Sequence, residues 1–151
     1  MLSTPGCWKL FGDILAKEYV KENYDPDSHR ITVDTYAVTH PGDSRERKAI
    51  QSVNIHLIRL YYAFEKGMKG AKLLEIMKNA AKDEQLHNDF VWLTPPSFDD
   101  TLHVNDILEA RDFEMHKKRV KAWGESVWAV WKAAHGRTIE SLAQKVVVEG
   151  L

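Results

Sequence analysis

The stretch Ser28 to His40 reads SHRITVDTYAVTH and runs into Pro41-Gly42. His29, Val33, Tyr36, Ala37 and His40 recur at intervals of one, three and four residues, the period of one helix face rather than of a strand. Eleven residues at about 100° each amount to three turns plus about 20°, so His29 and His40 point the same way. Asp25 followed by Pro26 is a cap-plus-proline start, and Pro41-Gly42 is a stop. A helix that carries two histidines on its inner face sets both the fold class and the search for a site.

The same period extends outward in both directions. Thr4 caps a first helix with Pro5 at its first position, and its inner stripe is Cys7, Trp8, Phe11, Ile14, Leu15 and Tyr19, ending near NYDPD. Asp43 with Glu46 matches a capping box for a long third helix, with Ile50, Val53, His56, Leu57, Leu60 and Phe64 inward. Gly67 and Gly70 close that helix. A fourth runs from about Ala71 to Glu84 on Leu73, Leu74, Met77 and Ala81, after which HNDFVWLTPPSFDD reads as a loop. A short turn at VNDILEA precedes a fifth helix from about Asp112 to His135, with Phe113, His116, Val120, Trp123, Val127, Val130 and Trp131 in phase and Gly136 as its C-cap. Thr138, Ile139, Leu142 and Val146 make a last helix, and VVVEGL is expected to fray. No segment alternates with period two. The expectation is an all-α fold in which residues 1–151 form a single helical domain, a bundle of about four main helices plus two short ones.

Bulk properties narrow the function classes. A chain of 151 residues is one ordinary domain. With 21 Lys+Arg against 22 Asp+Glu the formal charge is −1, so charge points to no nucleic acid and no membrane surface. No apolar run reaches the roughly 20 residues of a membrane span, and the N-terminus lacks a signal-peptide core; a cytoplasmic location is expected. Cys7 is the one cysteine, which excludes an intrachain disulfide and a multi-cysteine zinc site.

HRITVDTYAVTHPG (His29 to Gly42), QSVNIHLIRL (Gln51 to Leu60), WGESVWAVW (Trp123 to Trp131) and the opening PGCWKLFGD together resemble a family of bacterial helical domains of uncharacterised function. The resemblance covers almost the whole chain and implies a helical domain without implying a reaction. Thr39 stands where the family pattern has glutamine, and an upstream cysteine pair of that pattern is absent.

The inward histidines supply the candidate site. His29 and His40 lie ~16 Å apart along one helix, too far for one metal. If the second and third helices are antiparallel about residues 42 to 43, His29 lies level with His56. His116, inward near the start of the fifth helix, completes a three-histidine set, His29, His56 and His116, able to hold one divalent metal of the zinc, nickel or iron class with water as fourth ligand. At the level of architecture this resembles the bacterial four-helix damage-inducible and thiol-transferase superfamily, which binds metal through histidines on separate helices. The implied function is a metal-dependent hydrolase or transferase acting on an unknown small molecule. The alternative is a non-catalytic ligand-binding or structural protein whose histidines are hydrogen-bonded core residues.

Secondary candidates follow from the same arithmetic. About Tyr24 in the first hairpin, Cys7 falls near His40; a cysteine in a helix's first turn beside an imidazolium is a potential thiol nucleophile, while a buried free cysteine is more often a small hydrophobe. Tyr36 is inward and either orients a histidine or packs as a core aromatic. Asp34 lies about 140° round the helix from His29, where a solvated acid or a pair with Arg59 is expected. Trp128, about 140° from Trp123, covers the PPSF loop or lies in a homodimer interface. His87, His103 and His135 fall in loops or at helix ends and are excluded from the site.

Overall fold

The computed structural model describes residues 4–20 and 24–146. These hold seven helices and no strand: α1 (Pro5–Glu18), α2 (Pro26–Thr39), α3 (Arg47–Glu65), α4 (Gly70–Lys82), α5 (Glu84–Asn88), α6 (Val104–Leu108) and α7 (Phe113–Gln144). The all-α expectation holds. The count differs, because five helices are long and two are single turns.

Each difference has a local cause. The pattern interrupted at HNDFVWLTPPSFDD still begins with a helical turn, α5, capped by Asp83 Oδ1 on the Leu86 amide at 3.0 Å. The expected boundary at His135 and Gly136 is where α7 breaks: His135 leaves helical geometry (φ −139°, ψ 18°), and two helical stretches meet there across a kink without a full stop. The fifth and last expected helices therefore join at a kink, held by His135 Nε2 donating to the Thr94 carbonyl at 2.7 Å. The expected capping box also fails, since α3 starts at Arg47 with no side-chain cap and Asp43 instead takes the Arg45 amide and guanidinium. The caps of α1 and α2 form as expected: Thr4 Oγ1 accepts the Cys7 amide, and Asp25 Oδ1 accepts those of Asp27 and Ser28. The expected fraying of VVVEGL beyond Val146 falls outside the described residues.

α2 lies against α1, α3 and α7 and is enclosed along most of its surface. This is why its buried positions, Ser28, Thr32, Asp34, Thr35, Tyr36, Val38 and Thr39, go round the helix instead of forming one stripe. α7 approaches α2 and α3 at Gly124, where a Cβ would stand 2.6 Å from Ile31 Cγ2 and 2.9 Å from Phe64 Cζ. In α4 the inner face is Leu73, Ile76 and Ala80, and Leu74 faces outward. Trp123 and Trp131 are core residues. Trp128 is also buried, donating Nε1–H to Glu65 at 2.8 Å and packing edge-on against Tyr61, so it neither covers the PPSF loop nor offers a dimer surface. It is Phe98 from that loop that packs on Trp131. No described helix is long and apolar enough to cross a membrane.

Candidate functional site

Two carboxylates are sealed in this bundle, and the histidines gather on them. Glu18 ends α1 one turn beyond Ile14, on the same face, and is only 1% exposed. A carboxylate removed from water needs donors, and this one has three. His29 Nδ1 donates to Oε1 at 3.1 Å, and Thr32 Oγ1 and His116 Nε2 donate to Oε2 at 2.6 and 2.8 Å. α1, α2 and α7 each contribute.

These bonds assign the tautomers. With Nδ1–H on Glu18, His29 keeps an Nε2 lone pair whose one partner among the described residues is the Tyr19 hydroxyl at 3.4 Å, a long contact. With Nε2–H on Glu18, His116 keeps an Nδ1 lone pair that is buried and without a partner. The rings also differ in access: the His29 side chain is 15% exposed, that of His116 3%. His29 lies under an aromatic rim of Tyr19 and Tyr24, with centroids at 5.1 and 5.9 Å, and Phe113 stacks on His116 at 5.6 Å. Tyr24 and Phe113 line an open cavity of about 640 Å³, together with Asp25, Asp112, Glu114 and Lys117.

The second centre lies further along α2. Asp34, also 1% exposed, receives Arg59 Nε at 2.8 and 2.7 Å on its two oxygens and His56 Nδ1 at 2.6 Å on Oδ1. The pairing with Arg59 is as expected from the sequence; the solvated position is not. An α2 enclosed along most of its surface buries this flank, and a guanidinium with an imidazole compensates the burial.

The expected three-histidine group is not assembled in this arrangement. His29 and His116 share Glu18, while His56 bonds Asp34. Residues 34 and 56 are equidistant from residue 45, whereas 29 and 56 are centred on 42 to 43; the late start of α3 at Arg47 moves the hairpin's register by that amount. Among the described residues no group of three or more His, Cys, Asp or Glu side chains could hold a metal ion as placed.

His40 and Cys7 line a separate cavity of about 320 Å³ together with Thr39, Asp99 and Trp123. His40 donates Nδ1–H to the Tyr36 carbonyl at 3.0 Å and stacks on the Tyr36 ring at 4.1 Å. Burial pushes its pKa below the ordinary histidine value, with the Tyr36 carbonyl bond opposing. Tyr36 is a core aromatic, sandwiched between His40 and Phe11, and Cys7 is a free, half-buried thiol.

Reasoning from sequence missed Glu18 and Thr32. Both carried a signal: Glu18 is in phase with Phe11 and Ile14, and Thr32 is three residues from His29, so each is a polar residue on an otherwise inward face.

The fold and its centres define a class: an all-helical bundle with two buried carboxylate–histidine centres strung along one enclosed helix. The chain matches the model of a family of unknown function, DUF5946, over residues 1–132, and belongs to that family. No curated protein and no solved structure matches it.

Proposed function

We propose that the protein is a small-molecule hydrolase or transferase in which His29 is the general base and Glu18 its positioning residue. One observation carries this reading: His29 has one nitrogen fixed on a buried carboxylate and the other in a long contact with the Tyr19 hydroxyl, and Tyr24, whose ring lies 5.9 Å from that of His29, lines an open cavity. A base so held accepts a proton from a bound water or hydroxyl at Nε2, and Glu18 stabilises the imidazolium that forms. The proton then passes from Nε2 to the leaving group. Thr32 and His116 hold the Glu18 carboxylate in place, and neither touches the reacting atoms. Tyr24 and Phe113 supply apolar walls for the substrate.

The test combines a rate and a spectrum. With p-nitrophenyl acetate and p-nitrophenyl phosphate as probes, His29→Gln is expected to lower turnover by about 10² to 10⁴, Glu18→Gln to lower it less, and His87→Ala to leave it unchanged. Long-range nitrogen–proton spectra are expected to show His29 protonated on Nδ1 at neutral pH. Full turnover in His29→Gln, or a proton on Nε2 instead, sinks the reading and favours the non-catalytic alternative, in which the substitution changes stability alone.

A second reading rests on the donor chemistry of Glu18, His29 and His116, one carboxylate and two imidazoles from three helices, which suits a divalent ion of the zinc, nickel or iron class. It requires the rings to turn away from their present hydrogen bonds. Metal content of protein purified without a histidine tag separates the readings. Stoichiometric metal lost in His116→Ala, with a melting temperature lowered by chelator, favours the metal; metal-free protein indifferent to chelator removes it.

A further inference from the structure

Of the large apolar side chains exposed among the described residues, Trp8, Tyr19, Val20 and Tyr24 fall in one short stretch of chain, while Leu74 and Val91 stand apart. Single exposed apolar residues are ordinary, but a contiguous patch marks an interaction surface. On α1 the patch is a stripe. Trp8, Gly12, Leu15 and Tyr19 follow one another at intervals of four, three and four residues, which at about 100° per residue puts them within about 60° of one another, about a quarter-turn from the buried Phe11, Ile14 and Glu18. Trp8 is 63% exposed and Tyr19 62%, Leu15 is half-buried, and Tyr24, 47% exposed, stacks on Tyr19 at 6.2 Å. The charges nearest the stripe, Lys9 and Asp13, pair with each other at 3.1 Å.

Gly12 is a second, independent sign of a partner. Glycine is a poor helix former, and nothing within the protomer requires one here: a Cβ would meet no atom within 4 Å, whereas one at Gly124 is crowded by Ile31 and Phe64. The missing side chain leaves a gap in the stripe where another helix can approach closely. The spacing of four, three and four also reads the same in both chain directions. A second copy laid antiparallel across a two-fold axis therefore sets Trp8 against Tyr19 of the partner subunit and Gly12 against Leu15 of the partner subunit, each contact occurring twice, with each leucine a knob in the gap left by a glycine. The area agrees. At these exposures Trp8, Tyr19 and Tyr24 leave roughly 400 Å² open, and a standard interface buries about 800 Å² per partner, about three-fifths of it apolar.

We propose that the protein is a homodimer in which the two α1 helices pair antiparallel through Trp8, Gly12, Leu15 and Tyr19. The Tyr19 hydroxyl is the group 3.4 Å from His29 Nε2, so Trp8 of the partner subunit, packed on Tyr19, completes the rim over that histidine. What this rim does for catalysis rests on the acid–base reading above, whereas the dimer does not.

Sedimentation equilibrium of the full chain is expected to give a dimer with a Kd in the micromolar range or tighter, as interfaces of this area do. Gly12→Leu fills the gap and improves the helix, and is expected to weaken the dimer about tenfold or more with a melting temperature unchanged or raised. The register is read by cross-linking: in a Cys7→Ser background, Gly12→Cys and Leu15→Cys proteins are expected to form an intermolecular disulfide much faster when mixed than either does alone. A monomer at about 100 μM overturns the proposal and leaves the stripe to a different protein. A dimer indifferent to Gly12→Leu, or a mixture that cross-links no faster than its components, overturns it as well. Failure of the acid–base reading shows separately, as full turnover in a His29→Gln protein that still sediments as a dimer.

Discussion

The polar residues of α2 and its neighbours carry most of what is unusual here. Inward histidines were legible from the helical period, but their partners were not, because an apolar stripe is drawn from apolar residues and Glu18 and Asp34 do not register in it. The environment of His40 leads to a pH prediction. Burial lowers its folded-state pKa relative to an unfolded value near 6.5, so as pH falls below about 6.5 the unfolded chain takes up this proton before the folded one does. The associated stability is therefore fully present above that pH and is lost as pH drops toward the folded value. Urea unfolding at pH 7.5 and 5.5 is expected to show a larger loss in the wild type than in His40→Gln. Equal losses would mean that the ring titrates as it does in the unfolded chain.

Elements differ in how far their own residues decide them. α1 and α2 begin where capping chemistry says, since Thr4 and Asp25 act on amides two or three residues away. α3 departs from expectation because its start depends on distant groups, whereas α7 begins after Asp112 and breaks at His135, as its sequence indicates. Arg47 at the start of α3 donates to the carbonyls of His87 and Phe90, and the kink of α7 is held by the Thr94 carbonyl. The crossing of α7 over α2 and α3 depends on the missing side chain of Gly124. Although alanine is the better helix former, Gly124→Ala would drive a methyl into Ile31 and Phe64. It is expected to destabilise by about 1 to 3 kcal/mol, read as a lower urea midpoint at unchanged slope. A neutral or stabilising result would show that the helices can separate freely at the crossing.

At the scale of the molecule, α2, α3 and α7 pack against one another and, with the end of α1 that carries Glu18, hold both carboxylate centres, while α5 and α6 are single turns. Native-state hydrogen exchange is expected to find the slowest amides in the middle of α3 and α7, near the global unfolding limit, and the fastest helical ones in α5 and α6. Uniform protection across all seven helices would contradict this layering. The all-helical class was determined by the chain alone, because the 3.6-residue period, the proline starts and the N-caps are local properties that each segment carries with it. The companions of each histidine were decided only by tertiary structure. Register between helices depends on where each one begins and on the loop between them, and a few residues of displacement, here the start of α3 at Arg47, moved His56 from the level of His29 to that of Asp34 and left His29 and His116 to share Glu18.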